Sequence, residues 1–231
     1  MKTIISFFLG CLLACMQLPA QVLEDGFTQS EITDAIFTQI KGKSFKDNCT
    51  TPRADLRYLK VLHYNKDGEV LEGEMICHKS IANDLLAIFQ ELYKAKYPIE
   101  RMKLVDEYEA DDEASMRANN SSAFNFRYIS GTKSLSRHSR GMAVDINPLY
   151  NPYVRYRGGR TLVEPANAKP YVDRSKDFPY KIVKGDLCYR LFKKYGFTWG
   201  GDWKNSKDSI QRGMQKLKGG YPADPVYKMS K

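Results

Sequence analysis

The residues best suited to chemistry lie in the segment 136–147, which reads SRHSRGMAVDIN. Side chains of an extended strand alternate between two faces, and here one face would be apolar. That apolar face would consist of Met142, Val144 and Ile146. The opposite face would carry small residues and then Asp145, while His138 arrives from the preceding loop. An imidazole and a carboxylate above a floor of small side chains suit a catalytic zinc ion, which takes three protein ligands and one water. A structural alternative is that Asp145 caps the turn before Pro148 and that His138 is an exposed loop residue.

The spacing Ser-x-His-x-x-Gly-x-Ala-x-Asp, from Ser136 to Asp145, resembles the signature of a known peptidase family. It is similar to the zinc D-alanyl-D-alanine carboxypeptidases and L-alanyl-D-glutamate endopeptidases, which include the vancomycin-resistance dipeptidases and several phage endolysins. Three further segments, 119–127, 147–153 and 196–203, are also typical of this family and follow in the expected order. The resemblance extends from about residue 55 to residue 208.

This resemblance implies a set of site residues. His138 and Asp145 would bind zinc, and Arg127 would polarise the scissile carbonyl. Asp208 falls at the position of the family's general base. The residues implied to contact the substrate or line the cleft are Ser136, Asn125, Trp199 and Trp203. The fold implied is a single small α+β domain with an antiparallel sheet and flanking helices, of the DD-peptidase or hedgehog-like kind.

The chain departs from the family pattern at Gln211, which occupies the position of the third zinc-ligand histidine. An amide oxygen is a much poorer zinc donor than imidazole, because Zn²⁺ favours nitrogen and sulfur ligands. The remaining histidines, His63 in a predicted strand and His78 before a predicted helix, are interpreted as structural or exposed. Gln211 is therefore a doubtful third ligand, and the affinity for one Zn²⁺ is an open question.

Two main hypotheses follow. The first is a zinc peptidase that hydrolyses an amide bond in peptidoglycan stem peptides. The second is a catalytically impaired homologue that binds cell-wall peptide on the same fold, because fold alone does not fix function. A third, weaker hypothesis is a metal-dependent enzyme that acts on a different amide. Neither exo nor endo cleavage is favoured by the sequence.

Hydrophobic periodicity predicts the elements that would position this site. The runs 56–64 and 70–78 flank Asn65-Lys66-Asp67-Gly68 and predict a β-hairpin. Apolar positions at helical spacing predict helices around 32–40, from 81 to before Pro98, and from 187 to Gly196. Residues 102–105 are predicted as a strand, 109–140 as a long functional loop, 142–146 as a short strand and 148–180 as a loop.

Composition and the N-terminus place the protein in a broad class. The chain has 231 residues, 42% of them hydrophobic, and 36 basic against 27 acidic side chains give a net charge of +9. These values favour one globular domain with an anionic partner such as cell wall, and disfavour nucleic acid because the basic residues are scattered. We expect a monomer. The five cysteines are too few and too uneven for a disulfide scaffold, and Cys77 and Cys188 are predicted core residues.

The apolar run after Lys2 predicts a secretory signal over residues 1–20, which implies export to the periplasm or the cell envelope. Two cleavage sites remain open. One follows Ala20, and the other is a lipobox in which Cys15 would carry a lipid anchor. The predicted organisation is a signal (1–20), an N-terminal helical leader (21–54), a metallopeptidase-like domain (55–211) and a divergent tail (212–231). The tail is compatible with natural divergence or with a frameshift.

Overall fold

The computed structural model describes residues 25–129, 132–157, 159–202, 209–210 and 214–216. Within these ranges it contains helices α1–α4 and strands β1–β9. The helices are α1 (Asp34–Ile40), α2 (Lys79–Lys94), α3 (Asp112–Arg117) and α4 (Leu187–Lys194). The strands are β1 (Thr28–Glu31), β2 (Leu56–Tyr64), β3 (Val70–His78), β4 (Ala143–Val144), β5 (Tyr153–Arg157), β6 (Arg160–Glu164), β7 (Phe197–Trp199), β8 (Ser209–Ile210) and β9 (Met214–Lys216).

The main sheet is antiparallel, in the order β1-β2-β3. Strands β2 and β3 form the predicted hairpin with the predicted bounds, because alternating apolar residues flank a turn that contains Gly68 at φ +81°. Helix α2 packs on one face of this sheet and buries the predicted apolar stripe, and α4 packs beside it. The stripe consists of Ile81, Leu85, Leu86, Phe89 and Leu92.

The opposite face of the sheet is covered near the start of β2 by a second apolar cluster. Ile32, which precedes α1, and Ile40, the last residue of α1, contribute to it together with Phe124 and Phe126. Strand β1 also pairs with β2, so the N-terminal segment from residue 25 packs against the domain rather than extending away from it. This second cluster fixes the path of residues 123–127, which lead into the candidate site.

Two small antiparallel sheets complete the fold, in the orders β4-β9-β7 and β6-β5-β8. The architecture is a single α+β domain with antiparallel sheets and flanking helices, as predicted. Cys77 and Cys188 are fully buried, which confirms their assignment to the core. No helix in the described part of the chain is long and apolar enough to cross a membrane.

Three predicted elements are wrong, and the first is the predicted loop 109–140, which contains helix α3. Residues 102–105 do not form a strand: Met102 accepts one hydrogen bond from Glu74, and a 3-10 helix begins at Val105. The predicted loop 148–180 contains the hairpin of β5 and β6. Strand β6 is mostly exposed and lacks apolar alternation, so periodicity gave no signal for it.

Candidate functional site

A short 3-10 helix, Arg137–Arg140, carries His138 and is capped at both ends. The Ser136 hydroxyl oxygen accepts a hydrogen bond from the His138 amide at 3.3 Å. Gly141 ends the helix in the left-handed region at φ +63°, and its amide donates to the His138 carbonyl at 2.9 Å. The Gly141 carbonyl then accepts from the His78 amide at 3.0 Å, which ties this turn to the end of β3. The turn that carries His138 is therefore fixed at both of its ends and tied to the end of β3.

The imidazole of His138 is oriented toward Asp145. Its Nδ1 lies 2.6 Å from the Ala123 carbonyl oxygen. A carbonyl only accepts hydrogen bonds, so Nδ1 carries the proton and Nε2 keeps a lone pair when the ring is neutral. Nε2 lies 3.4 Å from Asp145 Oδ2, and the two side chains are only 10% and 4% exposed.

This distance matches two ligands of one tetrahedral zinc ion. Ligand atoms about 2.0–2.1 Å from tetrahedral Zn²⁺ lie about 3.3–3.4 Å from each other. The Nδ1–H···O=C bond is also the outer hydrogen bond that metal-binding histidines usually make. His138 and Asp145 therefore fit two positions of a zinc site.

Asp145 is positioned by its backbone. It exchanges hydrogen bonds with Ser122, at 2.9 Å and 3.1 Å, directly after β4. The predicted alternation is confirmed, although the strand is shorter than 142–146. The residues that enter the main core are Met142, Val144 and Ile146. Asp145 consequently projects from the other face, toward His138.

The described residues contain no cluster of three or more His, Cys, Asp or Glu side chains that could hold a metal ion. His63 lies within β2, where its Nδ1 donates to the Ile99 carbonyl at 2.7 Å, and His78 caps α2 through Ser80. Burial lowers the pKa of both imidazoles, as expected for histidines packed into the domain. The predicted third ligand Gln211, the predicted base Asp208 and Trp203 lie outside the described residues.

The structure brings Arg127 and Asn125 alongside the 3-10 helix of His138. The Arg127 amide donates to Ser139 Oγ at 2.9 Å, and its carbonyl accepts from the Ser136 amide at 3.0 Å. The Asn125 amide donates to the His138 carbonyl at 3.1 Å. Asn125 is 2% exposed and Ser136 is 7% exposed, so the contacts described for both are within the protein. Their contact with substrate stays a prediction.

Sequence reasoning missed Asp112, which begins α3. Its carboxylate forms an ion pair with Arg127 Nη2 at 2.8 Å, and the two side chains are 24% and 21% exposed. The available signal was local: Asp111 accepts a hydrogen bond from Ala114 as a helix N-cap, and acidic residues fill the first turn. The segment 109–140 therefore includes a helix that anchors the arginine.

Buried asparagines fix the segments on either side of the site. Asn147 accepts from the Glu100 amide and donates to the Pro98 carbonyl, both at 3.0 Å. Asn119 accepts from the Leu149 amide at 3.0 Å. The segments 119–127 and 147–153, which resemble the family, therefore supply structural hydrogen bonds. The first of these segments also carries Arg127.

The register of the β4-β9-β7 sheet places Trp199 opposite Met214, and Met214 opposite Val144. Directly opposed residues share one face of an antiparallel sheet, so Trp199 lies on the core face. It packs against the main core, whereas Asp145 lies on the other face.

Comparison with known proteins gives one family match. A family model described as D-alanyl-D-alanine carboxypeptidase matches residues 130–210, about a third of the chain. Searches of curated proteins and of solved structures found no match. The matched segment contains His138, Gly141 and Asp145. Residues 130–210 of the chain are therefore similar to the D-alanyl-D-alanine carboxypeptidase family of peptidases, which supports the resemblance that the motifs predicted.

Proposed function

We propose that this protein is an exported zinc peptidase that hydrolyses an amide bond in peptidoglycan stem peptides. The observation that carries the proposal is the 3.4 Å approach of His138 Nε2 to Asp145 Oδ2, with Nδ1 fixed by a backbone carbonyl. The family match supplies the reaction class, and the net charge of +9 suits a substrate polymer that carries carboxylates.

His138 and Asp145 would hold the metal ion, with Gln211 as a third and weaker ligand. A zinc ion in such a site supplies Lewis acidity, which polarises the scissile carbonyl and makes water more acidic. Binding requires a neutral imidazole, and the hydrogen bond from Nδ1 to Ala123 directs the lone pair of Nε2 toward Asp145.

The other groups of this chain would bind and orient the peptide. Arg127 would donate hydrogen bonds to the carbonyl oxygen as negative charge develops on it. Asp112 holds one end of that guanidinium, so Arg127 is fixed before substrate arrives. Asp208 would accept the proton of the attacking water. Ser136, Asn125 and Trp203 would contact the peptide.

A second candidate function is a wall-peptide binding protein without turnover. It is favoured by the ligand set, because Gln211 occupies the position at which the family resemblance implies a third zinc-binding histidine. A zinc ion with two good ligands would be held loosely. The binding surface around Arg127 would still recognise a stem peptide.

The proposed location is the periplasm or the cell envelope, with Cys15 as a possible lipid anchor, and we expect a monomer. The proposed location and lipid anchor rest on the apolar run of residues 4–14 and its small-residue flank. Mass spectrometry of the protein purified from its native membrane fraction would show whether the mature chain begins at Gln21 or at a lipidated Cys15.

The function is tested by incubating the zinc-supplemented mature protein with a disaccharide pentapeptide that ends in D-alanyl-D-alanine. Loss of D-alanine, or a cut elsewhere in the stem peptide, is followed by mass spectrometry, and peptide binding is measured in parallel. Cleavage that disappears in His138→Ala is the expected result. Cleavage only after Gln211→His, and not after the control Gln39→His at an exposed position, would establish the impaired homologue instead. If no variant shows either cleavage or binding, both candidate functions are contradicted.

A further inference from the structure

A half-open cavity lies away from His138 and Asp145, neither of which lines it. It encloses about 270 Å³ that water can reach and is bounded by β5, β7 and the segment 172–184. Its apolar wall consists of Val154, Val172, Ile182, Val183 and Trp199. Arg174 and Lys184 also line it. The volume is slightly below the roughly 300–1,000 Å³ of sites for drug-sized ligands, so the cavity suits a small molecule or one terminal residue of a chain.

The strand register separates this cavity from the candidate active site. Trp199, Met214 and Val144 share the core face of the β4-β9-β7 sheet. Asp145 follows Val144 directly and therefore projects from the opposite face. A ligand against Trp199 would lie on the side of the sheet that His138 and Asp145 do not occupy.

Arg174 gives the cavity a charge that the described residues do not neutralise. Its guanidinium donates to the Tyr150 carbonyl at 2.6 Å, to Asn151 Oδ1 at 3.1 Å and to the Ile182 carbonyl at 2.8 Å. These acceptors are neutral, and no ion pair of Arg174 exists within the described part of the chain. Burial lowers the pKa of Arg174, which reflects the cost of removing its charge from water.

The guanidinium retains donor capacity for a ligand. Arginine has five N–H groups, and the three contacts above use only part of them. Lys184 adds a second cation, which is 76% exposed and lies 3.9 Å from Asp202. Apolar walls next to an arginine that lacks an anionic partner fit a ligand with an apolar body and a carboxylate, since arginine binds carboxylates through parallel hydrogen bonds.

We propose that this cavity binds a small branched apolar carboxylate. The carboxylate would pair with Arg174 and Lys184, and the apolar body would pack against Trp199 and its aliphatic neighbours. The ligand is either a free acid or the C-terminal residue of a peptide, since both present this chemistry. The inference does not depend on the proposed peptidase function.

Isothermal titration calorimetry of the full mature protein tests the proposal with 4-methylpentanoate and the neutral 4-methylpentanamide. We expect saturable binding of the acid and binding of the amide weaker by about tenfold or more, because a charged hydrogen bond is lost. Glycyl-glycyl-leucine and its C-terminal amide form the second arm. Tighter binding of the peptide acid than of 4-methylpentanoate would identify a peptide terminus as the source, and the reverse would identify a free acid. Equal binding of acid and amide, or no binding, would overturn the proposal.

Surface variants locate the site without disturbing Arg174, which holds several loops together. Val183 is 43% exposed, so Val183→Asp should fold while placing a negative charge in the cavity. Val70→Asp is the matched control, because Val70 is 47% exposed and lies outside the cavity. Binding of the acid should weaken about tenfold or more in Val183→Asp and stay unchanged in the control. Equal effects of the two variants would overturn the assignment to this cavity, whether or not stem peptides are cleaved.

Discussion

The glycine of the signature motif can be tested by Gly141→Ala. Gly141 has φ +63°, a conformation that L-residues with a Cβ rarely adopt. A Cβ at this position would lie 2.6 Å from the His78 amide nitrogen and 2.9 Å from the Cys77 carbonyl carbon. Both are backbone atoms at the junction of β3 and α2, so they cannot move aside as the end of a flexible side chain would.

The expected cost has two parts. The left-handed conformation costs about 1–2 kcal/mol for a residue with a Cβ. Forcing the turn away from the β3 backbone adds about 1–3 kcal/mol, as in other overpacked sites. We therefore expect the free energy of unfolding to fall by about 2–5 kcal/mol, a large share of the roughly 5–15 kcal/mol typical of a domain.

Urea unfolding followed by circular dichroism measures this change, and Gly68→Ala is the matched control. Gly68 also has positive φ, at +81°, but a Cβ added there would meet no atom within 4 Å. The control should lose only the conformational part, about 1–2 kcal/mol. If Gly141→Ala destabilises the protein no more than Gly68→Ala does, the close approach of the motif to β3 does not limit this position and the reasoning is refuted.

Three further predictions concern the surroundings of the site. Asp112→Asn removes the ion pair with Arg127, so the guanidinium loses its fixed position. We expect stem-peptide cleavage to slow by about tenfold to 100-fold while zinc stoichiometry stays the same. Unchanged steady-state cleavage rates would contradict a positioning role for Asp112. Burial lowers the pKa of His63, so near the ordinary histidine pKa of about 6.5 the unfolded state binds more protons than the folded state. The free energy of unfolding should therefore fall as pH decreases through that value. His63→Asn should reduce the slope of unfolding free energy against pH by up to about 1.4 kcal/mol per pH unit, as measured by urea titrations. Asn151→Ala leaves the Tyr180 carbonyl and the Ile182 amide without their partner and should cost about 2–4 kcal/mol in thermal or urea unfolding; a loss below about 1 kcal/mol would show that water replaces the side chain.

Local patterns predicted the parts of the fold that depend on neighbouring residues. The β2–β3 hairpin and α2 were predicted because alternation, a turn with Gly68 and a helical apolar stripe lie within single segments. The pairing of β1 with β2, and of β9 with both β4 and β7, joins segments that lie far apart in the chain. Nothing in the residues of one such strand specifies which distant strand it meets.

The candidate site likewise combines features that local sequence patterns predict with contacts that they do not. The spacing of His138 and Asp145 predicted a metal pair, and strand alternation predicted which side of β4 the carboxylate would take. The link between Asp112 and Arg127 was not predicted, because it joins a helix to an irregular segment that has no periodic signal. The hydrogen bond from His138 to Ala123 was likewise invisible, since a backbone acceptor carries no residue-type signature.

The central claim, that His138 and Asp145 bind a zinc ion, is tested most directly by titrating zinc into the metal-stripped mature protein. The active-peptidase account predicts one zinc per chain with a nanomolar or lower dissociation constant in the native protein, which requires a third strong ligand besides His138 and Asp145, and loss of that binding in His138→Ala and in Asp145→Ala. His63→Asn, which alters a histidine bonded within β2, should leave the titration unchanged. Micromolar or absent binding in the native chain would contradict the active-peptidase account and leave the wall-binding alternative.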